Sequence, residues 1–209
     1  MTEKSDEIKP NQPEPDIHPW LGVLVRPRST LEQLLRRETP QSARTLWLSF
    51  TALVIAFLFL GATFYPGDLD RAALRMRLVF ATPFIFALSY LYFVVESYLL
   101  HKVGEWFGGR STPAAMRVIN AYTTVIPGVI LGPLNILVAV LLDKDSLVRG
   151  TLENIILGWT VYITAVGIGV AAGINPWRGL AVYIVTLLFW LALGLLAGTL
   201  LFGQLPTAF

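Results

Sequence analysis

Five stretches of this chain carry almost no charge, near residues 45–65, 78–100, 118–142, 155–174 and 180–203. A run of about 20 apolar residues is the length that carries an α-helix across the hydrocarbon of a bilayer. Hydrophobic residues make up 55 % of the 209 and charged residues only 14 %, against about 25 % charged in an ordinary soluble domain. A soluble fold cannot hide that much apolar surface behind so little charge. Inside hydrocarbon each backbone amide must find its partner within its own segment, which makes these spans helices. The predicted fold class is an all-α integral membrane protein with five transmembrane helices, preceded by a short amphipathic interfacial helical segment. Residues 1–16 read as a disordered tail, 17–44 as the amphipathic segment and 45–209 as the five-helix transmembrane domain.

The polar residues gather between the spans, with 16 Lys and Arg against 14 Asp and Glu. A net charge of +2 is too small for a nucleic-acid partner. Cys is absent, which excludes disulfides, thiolate metal sites and Cys nucleophiles. The tail holds Pro10, Pro13 and Pro15 and five acidic residues against two lysines, a composition that cannot offset the entropy of ordering. The first apolar run starts near Leu46, too late for a cleavable signal, so it acts as an uncleaved insertion signal. Segments 18–44, 101–117 and 175–179 share one side of the membrane and hold nine Lys and Arg, against five on the other side. The positive-inside rule then puts the N-terminus in the cytoplasm and the C-terminus outside. A compact chain without Cys suggests a bacterial inner membrane, with an ER or Golgi membrane as the alternative.

Within 17–44, Ile17, Trp20, Leu21 and Leu24 fall on one helical face, and Pro19 suits a first turn. Arg26-Pro27-Arg28 interrupts that face. Ser29 with Glu32 then forms the pattern of a capping box ahead of Leu31, Leu34 and Leu35. Trp20, Arg26, Arg28, Arg36 and Arg37 are the candidate membrane-surface contacts, because amphipathic helices with Trp and Arg lie in the headgroup layer. Packing of the same helices on the cytoplasmic ends of the spans is the other reading. Small residues repeat every four positions at Ala165, Gly169 and Gly173, and again at Gly194 and Gly198. Such faces let helices approach within one chain first, and between copies or other membrane proteins second.

Catalytic motifs are missing: no H-E-x-x-H, no G-x-S-x-G, no phosphate-binding glycine loop. Neither a catalytic residue, a metal nor a cofactor is expected, and the bilayer is the primary partner. Polar residues at membrane depth are the remaining candidates. Glu96 lies in the second span, where a carboxylate is expensive and often functional. His101 and Glu105 follow on the same helix, and the three together suggest a proton relay or cation site. Their bland alternative is an interfacial ion pair that ends the span. In the third span, Asn120 and Tyr122 bring polar groups into the first half, and Pro127 and Pro133 each delete an intrahelical hydrogen bond. A broken helix here would line a substrate or ion cavity; a kinked helix packing through its glycines is the plainer outcome. The sequence Gly104-Glu-Trp-Phe-Gly108-Gly109-Arg-Ser111-Thr112 ends the second span, makes a turn and caps the next helix.

The order of these features resembles the Yip1-domain family of five-span membrane proteins. The resemblance rests on Trp20 and Arg26-Pro27-Arg28-Ser29-Thr30-Leu31, then Gly104, Gly108, Gly109 and Ser111. It continues through Ala121-Tyr122, Pro127, Gly158-Trp159 and Asn175-Pro176-Trp177-Arg178, covering roughly 17–203. The short segment before the first span is nearer to the bacterial members. The resemblance implies a non-enzymatic protein with a cytosolic N-terminus, a membrane scaffold or adaptor in membrane organisation or trafficking. Eukaryotic relatives act in vesicle transport and bind Rab-type GTPases, a property not carried over to this chain. The alternative function is a small transporter or lipid-moving protein with a cavity around the proline-containing third span.

Overall fold

The computed structural model describes residues 18–64, 71–142 and 146–202. The expected tail at 1–16, residues 65–70 of the link between the first two spans, and the C-terminal tail lie outside the described residues. Among the described residues seven helices form in order: α1 (Pro19–Val25), α2 (Pro27–Arg37), α3 (Pro40–Phe64), α4 (Arg71–Trp106), α5 (Pro113–Leu141), α6 (Leu147–Ala172) and α7 (Pro176–Phe202). No strand occurs among the described residues. The last five helices are long and apolar enough to cross a membrane. The protein is therefore an all-α integral membrane protein with short N-terminal helices ahead of five candidate spans.

Proline sets many of the starts. α1, α2, α3, α5 and α7 each begin on one, at the position whose missing amide hydrogen has no helical partner anyway. Side chains cap two of them. Thr39 and Ser42 exchange hydrogen bonds ahead of α3, the Ser42 amide donating to Thr39 Oγ1 at 3.2 Å and the Thr39 amide to Ser42 Oγ at 3.0 Å. Thr112 Oγ1 accepts from the Ala115 amide at 3.1 Å and starts α5. The capping box expected from Ser29 and Glu32 does not form. α2 begins earlier, at Pro27, so Ser29 lies inside the helix and donates to the Arg26 carbonyl, while Glu32 pairs with Arg28 at 3.1 Å.

All five spans start before their sequence outline, most of all α4 and α6. α6 starts at Leu147 rather than near Ile155, which brings Arg149 and Glu153 into the helix. α4 starts at Arg71 rather than near Leu78, which takes Arg75 and Arg77 out of the expected link and into the helix. The residues from Arg71 to Leu78 are mostly good helix formers, so nothing stops the helix at the edge of the hydrocarbon. α5 runs unbroken through Pro127 and Pro133. The carbonyls of Thr123 and Val129 have no amide four residues on to accept from, but the helix does not divide.

Adjacent spans alternate in direction, which brings the start of α3, the end of α4, the start of α5, the end of α6 and the start of α7 to one end, called here the near end. α1 and α2 dock there against α5 and α6. Val23, Leu31 and Leu34 are buried with Ile119, Ile126 and Ile163. The α1–α2 turn is tight because Gly22 carries no side chain; a Cβ there would come within 2.6 Å of Thr30 Oγ1. Trp159 Nε1 donates to the Leu24 carbonyl at 3.2 Å and ties α1 to α6. A second cluster joins α3, α4 and α5 around Trp47, whose ring stacks on Phe93 at 4.7 Å and whose Nε1 donates to Ser89 Oγ at 2.9 Å. A third joins the near ends of α4, α5, α6 and α7 through Leu100, Met116, Ile168 and Val182.

Candidate functional site

The polar residues of the second and third spans meet because α4 and α5 are antiparallel neighbours joined by the Phe107–Thr112 turn. Gly108 takes φ of +83°, a left-handed value open to glycine, and stops α4. The Gly109 amide donates to the Gly104 carbonyl at 2.9 Å, and the Arg110 amide reaches across to the Ala172 carbonyl at the end of α6, also at 2.9 Å. A Cβ on Gly109 would sit 2.8 Å from that of Ala172. Gly104 is buried near Met116 and Ala172. The glycine-rich turn thus clamps three helices in register.

With the register set, Asn120 on α5 faces Glu96 and Ser97 on α4. Asn120 Nδ2 donates to Ser97 Oγ at 3.1 Å and to Glu96 Oε2 at 3.4 Å. Its Oδ1 accepts from Thr124 Oγ1 at 3.3 Å, which fixes the orientation of the amide. Ser97 Oγ in turn donates to the Phe93 carbonyl at 2.7 Å. Glu96 is 6 % exposed and Asn120 4 %. Tyr92, one turn before Glu96, sets its hydroxyl beside the carboxyl.

This group opens on a cavity of about 360 Å³ enclosed by α4, α5, α6 and α7. Glu96, Asn120, Thr124, Thr160 and Thr164 supply polar wall, and Tyr183 comes from α7. Pro127 is buried in the same wall. Toward the far end the cavity reaches Asn135 and Glu153. Glu153 is held by Arg149 at 2.8 Å, and Arg149 also donates to the Ala139 carbonyl at the end of α5. Among the described residues lining the cavity there are two carboxyl groups and no lysine or arginine.

The remaining candidates fall elsewhere. His101, 7 % exposed, places Nδ1 3.0 Å from Ser111 Oγ and Nε2 3.4 Å from Glu105 Oε1. Glu105 also pairs with Lys102 at 3.0 Å. The trio of Glu96, His101 and Glu105 is therefore divided: Glu96 joins Asn120, whereas His101 and Glu105 serve the turn. Tyr122 is half-buried and packs against both the α1–α2 cluster and the Trp47 cluster, away from Glu96. Trp20 does the same. Arg26, Arg28, Arg36 and Arg37 remain exposed. Tyr92, the hydroxyl partner of Glu96, and Ser97, the partner of Asn120, were not singled out from the sequence, nor were Thr160 and Thr164 of the cavity wall. The spacing of Arg149 and Glu153, four residues apart, was the one local signal for the far-end pair.

Compared with known proteins, the chain matches the Yip1 domain family model over residues 21–198. No curated protein and no solved structure matches it.

Proposed function

The chain belongs to the Yip1 domain family, and from that premise we propose that it is a non-enzymatic membrane protein that takes a cationic or hydrogen-bonding group into the cavity between α4, α5, α6 and α7. It works as a small transporter or lipid-moving protein. The observation that carries this reading is Glu96, buried at membrane depth against Asn120 and Ser97, with no basic side chain in the cavity wall. Removing a carboxylate from water costs several kcal/mol, and such residues inside membranes mark ion and substrate paths. Asn120 orients the carboxyl, and the hydroxyls of Thr124, Thr160 and Thr164 stand in for the water a polar group leaves behind.

Purified protein reconstituted in liposomes tests this through lipid scrambling and ion leak. Wild type is expected to carry one of these fluxes and Glu96→Gln to lose it, with the variant still folded. A fully active Glu96→Gln protein would sink the reading.

The scaffold or adaptor role has one observation in its favour. α1 and α2 bury their apolar face within the protein, yet Arg26, Arg28, Arg36 and Arg37 stay exposed. That leaves a cationic surface for anionic headgroups or an acidic partner, worth roughly 1 kcal/mol per basic residue. In this proposal the near end faces the cytoplasm of a bacterial inner membrane, with an ER or Golgi membrane as the alternative. A reporter fused after Phe209 then reads as external; an internal signal reverses the orientation.

A further inference from the structure

Beside the polar cavity lies a second compartment, an apolar groove of about 560 Å³ between α3 and α5. Phe50, Phe57, Val129, Pro133 and Ile136 line it. Both compartments are bounded by Gly128 and Gly132. At 100° per residue these two glycines fall on one edge of α5. Asn120, Thr124 and Leu131 lie to one side of that edge, facing the cavity, and Val129, Pro133 and Ile136 to the other, facing the groove. Side chains on this edge would form the wall between the compartments. Gly128 is covered instead by Phe50, whose ring would lie 2.9 Å from a Cβ, whereas Gly132 has nothing within 4 Å of where a Cβ would stand.

We propose that the cavity opens sideways into the bilayer at Gly132, and that its ligand is a phospholipid with a primary ammonium headgroup, the ammonium on Glu96 and one acyl chain in the α3–α5 groove. This rests on the cavity reading given above. Charge complementarity selects the headgroup. Glu96 has only neutral partners, Glu153 is already paired with Arg149, and no basic residue among the described lining waits for an anion. The hydroxyl protons of Thr124, Thr160 and Thr164 go to Asn120 Oδ1 and to α6 carbonyls, so these oxygens serve as acceptors for the remaining ammonium hydrogens. Asn120 and Gly132 are separated along α5 by a rise of about 18 Å, so a lipid lying along the helix passes from a polar to an apolar wall in the order of its own parts. The bilayer supplies such a ligand directly, without an aqueous path.

The test uses the full chain in nanodiscs of equal phosphatidylethanolamine and phosphatidylglycerol, with retained lipid counted by native mass spectrometry after transfer to detergent. Wild type is expected to retain the ethanolamine lipid preferentially. Glu96→Gln should lower that retention about tenfold, as loss of one charge-assisted hydrogen bond does. Gly132→Leu fills the window and should lower retention similarly, and Ile136→Trp, which fills the groove beyond it, gives an independent reading if the first variant folds poorly. Gly194→Leu, on α7 with open space around it, should match wild type. Equal retention of both lipids by wild type overturns the ammonium assignment. Wild-type retention by both Gly132→Leu and Ile136→Trp overturns the window. If those two variants bind lipid normally while Glu96→Gln still abolishes flux, the lipid inference fails and the cavity reading survives. If Glu96→Gln alters neither flux nor retention, both fall.

Discussion

The far half of the bundle is the more apolar, yet only the near half is packed. Apart from Ile55, just past the middle of α3, the buried positions fall in the first half of α3, α5 and α7 and in the second half of α4 and α6, all toward the α1–α2 end. At the far end Phe80, Phe84, Ile136, Val140, Leu147 and Leu191 are exposed. Hydrophobicity cannot make this distinction, because lipid tails solvate a leucine as well as another helix does. The packed half has glycines that admit close backbones, the α1–α2 wedge, and a set of polar side chains bonding across helices where the far half has the Arg149–Ala139 bond. Gly167 admits Ile119, Thr123 and Leu31 together, since a Cβ there would lie 2.7 Å from Thr123 Cγ2. Gly179 lies against the Ala165 carbonyl and 3.0 Å, Cβ to nitrogen, from the Gly169 amide. The groove lies mostly in the open half, and the cavity runs into it from the packed half.

Paired substitutions across the two halves sharpen or break this contrast. The largest effect is expected for Leu31→Ala, which empties a fully buried site in the wedge; unfolding in detergent micelles should show a loss of about 3 kcal/mol. The same change at exposed Leu191 should stay within about 0.5 kcal/mol. Equal losses would mean that the far half is packed in the bilayer. Next comes Gly179→Ala, which pushes α7 away from the Ala165 carbonyl and should remove about 2 kcal/mol. Its counterpart Gly194→Ala, with nothing within 4 Å, should be neutral or gain up to about 1 kcal/mol from helix propensity. A marked loss at Gly194 would reveal a contact between protein copies on the far half.

The spans were legible because each is a long uncharged run, a signal that needs no tertiary information. Their ends were less so: Arg71, Arg75 and Arg77 look like a loop to a charge count, but a helix does not have to stop where hydrocarbon does. Pro127 and Pro133 left a broken span and a continuous kinked one both open, and α5 is the continuous one, because removing a donor weakens a helix without requiring it to divide. Glu96 and Asn120 could each be singled out as polar residues at depth. Their pairing could not, since it depends on a register set by Gly108, Gly109 and the Arg110–Ala172 bond. The apolar face of α2 was visible in Leu31 and Leu34, but amphipathicity looks alike whether the face meets lipid or protein. The open edge at Gly132 had no signal of its own, because a glycine facing space and one under a ring, such as Gly128, read identically.

The wedge also imposes an order on assembly. Leu24 and Trp159, which tie α1 to α6, are 135 residues apart. At ribosomal rates of about 5–20 residues per second, that gap corresponds to roughly ten seconds of synthesis. Throughout it α1 and α2 exist while much of their docking surface does not. Their amphipathic face then lacks its partners on α5 and α6, and this is the stage at which that face is uncovered by protein. The buried hairpin is the finished form, closed once α5 and α6 are in place.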